Sequence, residues 1–227
     1  MAYIILIKIL LQREEKYMKN NIDYTLYLVT DRNILQGRNL LESVEEAIKG
    51  GVTLVQLREK SISTKEFYNI AVELKKLTDM YNIPLIINDR LDIALSIDAA
   101  GLHIGQDDLP TSVARKLLGK DKILGVSARN LEEALKASSE GADYIGVGAM
   151  FPTISKSDAV WVSIEQLKKI RENTSIPIVA IGGITEKNVK ELTHCNIDGI
   201  SVISDILGKK DIKMAAESIK LNFLNKI

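Results

Sequence analysis

The sequence predicts a single (β/α)8 barrel, and three observations predict it. From Tyr24 onward, short β-branched runs alternate with longer amphipathic ones, with no break in composition along the way. The short runs are nearly continuous in apolar character, as strands buried on both faces of a parallel sheet must be. Polar residues gather where these runs stop: Gln56-Leu57-Arg58-Glu59-Lys60, Asn88-Asp89, Gly105-Gln106-Asp107-Asp108 and Phe151-Pro152-Thr153-Ile154-Ser155-Lys156. In a barrel, catalytic groups come from the loops after the strands, all on one face. A doubly wound open sheet is the alternative. Against it, no G-x-G-x-x-G follows the first strand, where Val29-Thr30-Asp31-Arg32 stands instead.

The units follow in order. Thr25–Val29 leads to the helical pattern Leu40–Lys49, which Gly50-Gly51 closes, and Thr53–Leu57 leads to Thr64–Met80, ended ahead of Pro84. Leu85–Asn88 precedes Leu91–Ile97. Gly101–Ile104 precedes Ser112–Leu118 with Gly119 behind it, and Ile123–Val126 precedes Leu131–Glu140 with Gly141 at its end. Tyr144–Val147 precedes Ile164–Glu172. Pro177 then breaks the helix just before Ile178–Ile181 without costing a ladder hydrogen bond, as Pro84 does earlier. Ile178–Ile181 pairs with Glu186–Leu192, and Gly199–Ile203 with Ile212–Phe223.

Composition bounds the partners. The 227 residues are 46% hydrophobic, enough to bury a sizeable core. Thirty basic residues balance 30 acidic ones, so a global nucleic-acid or membrane surface is not expected. Cys195 is the one cysteine and cannot form an internal disulfide, which fits a reducing cytoplasm. It and His194 are read as structural. Residues 1–17 are expected to be an N-terminal extension outside the barrel, with the folded domain spanning 18–227. Ala2 to Leu11 is mostly apolar, but it is too short to span a bilayer, Lys8 interrupts it, and no A-x-A-like cleavage site follows. Nothing in the sequence fixes the oligomeric state, and a homo-oligomer is left open.

The chemistry sits at the strand ends. Gln56, Arg58 and Lys60 are spaced by two, which on a strand puts them on one face with Leu57 and Glu59 on the other. A buried arginine beside a lysine must be neutralised, and a diphosphate would do this. A solvated edge strand has the same spacing and is left open. Asn88-Asp89 and Asp107-Asp108 end neighbouring strands. Carboxylates so placed suit Mg2+, which takes one or two of them with phosphate oxygens and water. Either aspartate alone could instead cap the following helix. Asp107 as the cap and Asp108 as the ligand is one assignment that the sequence does not settle. Thr153, Ser155 and Lys156 follow Gly146-Val147-Gly148, where hydroxyls and a lysine can close over an anion, although a plain Ser/Thr-rich turn has the same composition. Ile181-Gly182-Gly183-Ile184 and Val202-Ile203-Ser204 end the last two strands, where barrels often bind phosphate through backbone N–H groups. His103 is read as a satisfied core histidine. Ser127, with no histidine pattern to make it a nucleophile, is read as a hydrogen-bond donor.

Taken together and in order, these motifs resemble the thiamine phosphate synthase family. The matching pieces are Tyr27-Leu28-Val29-Thr30-Asp31, Gln56–Lys60, Ile87-Asn88-Asp89, Gly101–Asp108, Gly125-Val126-Ser127, Gly146–Lys156, Ala180–Ile184 and Val202-Ile203-Ser204, spread from Tyr24 to Ile206. Each is weak alone, and the ordered set is specific. The resemblance implies a (β/α)8 barrel that joins hydroxymethylpyrimidine diphosphate to a thiazole phosphate, giving thiamine phosphate and diphosphate. By it, Gln56 contacts the pyrimidine end. Arg58, Lys60, Asn88, Ser127 and Lys156 face the diphosphate, within a stretch that includes Leu57 and Glu59. Asp89 and Asp108 hold Mg2+, and Thr153, Ile154, Ser155, Gly183, Ile203 and Ser204 hold the thiazole phosphate. Arg58, Lys60, Ser127 and Lys156 are the residues implied to act on the reaction itself. This chain has Ser155 where many members have Thr, which keeps the hydroxyl, and Val160-Trp161-Val162-Ser163 where many have Pro-Pro-Val-Gly, a departure that bears on the shape of the loop over the site and not on the chemistry. The implied chemistry is dissociative: the electron-rich pyrimidine releases diphosphate to leave a stabilised carbocation, and the thiazole nitrogen attacks it. A thiazole tautomerase of the same fold and a non-catalytic binder of thiamine precursors are the alternatives.

Overall fold

A computed structural model describes residues 21–153 and 160–225. Eight parallel strands close into a barrel in sequence order, each paired with the next and the last with the first. They are β1 (Leu26–Val29), β2 (Leu54–Leu57), β3 (Leu85–Asn88), β4 (Gly101–Ile104), β5 (Ile123–Ala128), β6 (Tyr144–Val147), β7 (Ile178–Ile181) and β8 (Gly199–Val202). The helices are α1 (Leu40–Lys49), α2 (Thr64–Met80), α3 (Leu91–Ser96), α4 (Thr111–Leu118), α5 (Leu131–Ser139), α6 (Ile164–Asn173), α7 (Ser204–Leu207) and α8 (Ile212–Leu224). The expected extension at residues 1–17 lies outside the described residues.

Strand parity divides the core in two. Outward residues such as Leu26, Leu28, Val55, Leu57, Ile87 and Ile145 pack under the helices against Val44, Phe67, Leu74 and Ala114. Inward residues Tyr24, Tyr27, Leu54, Ile86, Ile123, Tyr144 and Val179 form a second cluster that plugs the barrel. Each fully buried aliphatic side chain contributes about 1.5–3 kcal/mol, so the outer shell carries most of the stability while the inner plug forms the floor of the site. Helix starts are capped by side chains. Asn39, Ser63, Asn130, Ser163 and Asp211 each accept from a first-turn amide. Gly119 and Gly141 follow α4 and α5 with φ of +84° and +98°, the left-handed conformation that favours glycine.

Two elements depart from the sequence expectation. Glu186–Leu192 forms only a 3-10 turn, Val189–Leu192. The residues before it are tied into the loop, with Asn188 accepting from the Thr185 amide at 2.8 Å and donating to the Gly183 carbonyl at 2.9 Å. β8 stops at Val202, so Ile203 is the residue before a short unexpected helix, α7, which begins at Ser204.

Candidate active site

The carboxyl ends of the strands surround a cavity of about 460 Å3. At the end of β2, Gln56, Arg58 and Lys60 all line it. Leu57 faces the outer core and Glu59 reaches away to Arg32, whose Nε lies 2.8 Å from its carboxylate, so neither side chain lines the cavity and the five-residue run narrows to three. Burial raises the Glu59 carboxyl, and Arg32 opposes that rise. Thr30 and Asp31, at the end of β1, hold the arginine in place. The Thr30 hydroxyl accepts from the Arg58 amide at 3.0 Å, and the Asp31 carboxylate lies 3.8 Å from the guanidinium.

Beside this cationic end, after the neighbouring strands β3 and β4, stand Asp89 and Asp108. Lys60 Nζ lies 2.5 Å from Asp89 Oδ2, and Asp108 accepts from the Gly105 amide at 2.7 Å. Burial raises the Asp108 carboxyl above its ordinary range. The Gly105 amide opposes the rise, and the adjacent Asp89 carboxyl adds to it. Two carboxylates that disfavour each other's charge are stabilised by a cation between them. Neither caps a helix: the residues before α3 and α4 are Arg90 and Pro110, with no side-chain cap, so the Asp107 capping assignment is corrected. Asp107 lines the cavity instead. Among the described residues no group of three or more His, Cys, Asp or Glu could hold a metal. The pair fits an ion that keeps only one or two protein carboxylates and takes its remaining ligands from substrate and water, which is the habit of Mg2+.

Two buried polar atoms at this cavity, Asn88 Nδ2 and Ser201 Oγ, have no hydrogen-bond partner among the described residues. An orphaned buried donor costs about 1–3 kcal/mol, which a bound polar ligand would recover.

A family model described as thiamine monophosphate synthase matches residues 26–206, from the first strand to the helix after the last. The chain belongs to the thiamine monophosphate synthase family. It is 64% identical over 199 residues to thiamine-phosphate synthase of Clostridium tetani, covering 88% of this chain and 95% of the relative. It is 57% identical over 205 residues to that of Alkaliphilus oremlandii, covering 89% and 98%. A solved structure of thiamine phosphate pyrophosphorylase from Pyrococcus furiosus superposes with a TM-score of 0.84 at 40% identity, over 91% of this chain and 98% of that one.

Within this family framework the other half of the cavity is built from β6 to β8. Thr153, Gly183, Ile203 and Ser204 line it. Ile154, Ser155 and Lys156 lie outside the described residues. Gly183 has φ of +64°, and a Cβ there would come within 2.3 Å of the Pro152 carbonyl oxygen, so only glycine closes this turn. The departing segment is anchored on both sides of its exposed Trp161. The Val160 carbonyl accepts from Ala149 N at 3.0 Å, Val162 N donates to the Ala149 carbonyl at 2.9 Å, and Ser163 caps α6.

The sequence reading missed Tyr27, Tyr144 and Ser201, and assigned His103 to the core. All four line the cavity. His103 is hydrogen-bonded as expected of a satisfied histidine, and one of its partners is Ser127, whose Oγ lies 3.0 Å from Nε2. That pairing joins β4 to β5 and carries no local sequence signal. Inward strand parity was the available clue, since His103 and Ser127 are both inward positions and lie on adjacent strands.

Proposed function

We propose that this protein is a thiamine-phosphate synthase that condenses hydroxymethylpyrimidine diphosphate with a thiazole phosphate and releases diphosphate. The single observation that carries the reading is the meeting of Arg58 and Lys60 with the Asp89–Asp108 pair at one cavity mouth, with Lys60 bridging to Asp89. Such an arrangement suits an anionic leaving group and a divalent cation, and the cavity needs no nucleophile for this reaction. Family membership supports the same substrates.

In this reading Gln56 contacts the pyrimidine, Arg58, Lys60 and Asn88 hold the diphosphate, and Ser127 donates to it. Lys156 completes the cationic group by its sequence position. Thr153, Ile154, Ser155, Gly183, Ile203 and Ser204 seat the thiazole phosphate. Leu57 and Glu59 support the β2 end from its outer side. Asp89 and Asp108 hold Mg2+, which supplies charge neutralisation for the diphosphate when bound. As the C–O bond breaks, negative charge grows on the diphosphate and the fixed cations stabilise it more than the ground state. The bound thiazole is held with its nitrogen facing the pyrimidine carbon, so attack is effectively unimolecular. The enzyme works in the cytoplasm, consistent with its single buried cysteine, and no described helix is long and apolar enough to cross a membrane.

The test is diphosphate release by the purified chain with Mg2+. Release that requires both substrates supports the synthase. Isomerisation of a thiazole phosphate alone would identify a tautomerase, and tight binding without turnover would identify a carrier.

A further inference from the structure

We propose that a hydrogen-bonded chain across the cavity floor, Gln56–Tyr27–Tyr144–His103–Ser127, sets the direction in which Ser127 presents its proton, with His103 as the positioning residue. Gln56 Nε2 donates to the Tyr27 hydroxyl at 2.7 Å, and the two tyrosine hydroxyls lie 2.9 Å apart. Tyr144 Oη lies 2.9 Å from His103 Nδ1, and His103 Nε2 lies 3.0 Å from Ser127 Oγ. Burial keeps both phenols protonated, raising each above its ordinary value.

Counting protons along the chain gives its polarity. The Tyr27 oxygen accepts from the amide, so its own proton goes on to Tyr144. The Tyr144 proton then goes to His103 Nδ1. A neutral imidazole that accepts at Nδ1 carries its proton on Nε2 and donates it to Ser127. The Ser127 proton is thereby left for the cavity. At the other end, the Gln56 nitrogen is engaged and Oε1 is the group left to accept. Turning the amide over reverses every bond, and Ser127 would then offer only lone pairs to a diphosphate that itself has only lone pairs. This deepens the synthase reading and rests on it. An amino group on the pyrimidine that donates to Gln56 Oε1 favours the amide orientation that frees the Ser127 proton for the leaving diphosphate. Recognition of the ring is thus linked to departure of the leaving group.

The full chain, without substrate and labelled with 15N in its imidazoles, tests the polarity by NMR. A His194→Gln variant assigns the signals, since the chain has 2 histidines. The expected result is His103 with its proton on Nε2, and a shift toward mixed tautomers in Tyr27→Phe, which removes a hydroxyl that does not itself contact His103. A proton on Nδ1 in the wild type, or an unchanged tautomer in Tyr27→Phe, overturns the proposal. In turnover, Tyr27→Phe should lower kcat roughly 10-fold, less than the ~100-fold of losing a donor outright. The same change in a Ser127→Ala background should have little further effect, and full additivity there would overturn the link. The NMR result does not depend on turnover, so an inactive protein with the expected tautomer would count against the synthase reading and leave the chain polarity standing.

Discussion

Asp89 holds a left-handed backbone, φ +60°, at the point where its carboxylate meets Lys60 and Asp108. A non-glycine residue in that region costs on the order of 1 kcal/mol or more, and such strain persists where surrounding structure fixes it. Here the Asp89 amide is fixed by the His103 carbonyl at 2.8 Å. If both carboxylates hold one ion, Asp108→Asn should lower kcat with the fold intact. Its loss should not add fully to that of Asp89→Asn, because both act through the same cation. Steady-state kinetics of the two single variants and the double variant check this, and near-wild-type turnover in either single variant would count against a ligand role. Arg58→Ala should raise the barrier by about 2–4 kcal/mol, falling mainly on kcat, because its contact strengthens as charge develops on the diphosphate. A change confined to KM would place Arg58 in ground-state binding instead. Gln56, Arg58, Lys60, Asn88, Asp89 and Asp108 were legible because polar residues ending an apolar run stand out. Tyr27, Tyr144 and Ser201 were not, because an inward aromatic or small hydroxyl inside an apolar strand reads as core.

At the scale of elements, the barrel strands were legible to within a residue or two because burial on both faces leaves little besides apolar, β-branched sequence. The failures came where side chains serve a loop. Asn188 bonds the turn after β7, so the helical pattern around it yields a single 3-10 turn. The floor illustrates how neighbouring strands share space. Tyr144 on β6 lies over Gly125 on β5, and a Cβ at Gly125 would fall 2.1 Å from Tyr144 Cζ. Gly125→Ala should therefore displace the Tyr144 ring and lower stability by about 1–3 kcal/mol, the usual cost of overpacking. Urea unfolding measures the loss. An unchanged midpoint would show that the ring moves freely, and the floor would then be less rigid than described.

The whole molecule sets the limits of what sequence could reveal. Closure of the sheet brings strand ends far apart in sequence, β2 to β8, around one cavity, as the barrel pattern implied, while the cross-strand contacts on its floor became visible only in three dimensions. Residues 1–17 are the part for which the barrel pattern offers no role. A chain beginning at Met18 should fold and turn over like the full chain, since the strands begin at Leu26 and the family match begins at the same residue. A large drop in Tm on truncation would show that the extension packs on the barrel. The central claim is that diphosphate leaves before the thiazole attacks, in a cavity built to stabilise the departing charge. The most direct measurement is the single-turnover rate with a pyrimidine diphosphate made electron-poor on its ring, compared with the ordinary substrate. The account predicts a large slowing in the wild-type protein, because the carbocation is then unstable. An equal single-turnover rate for the two substrates would contradict it.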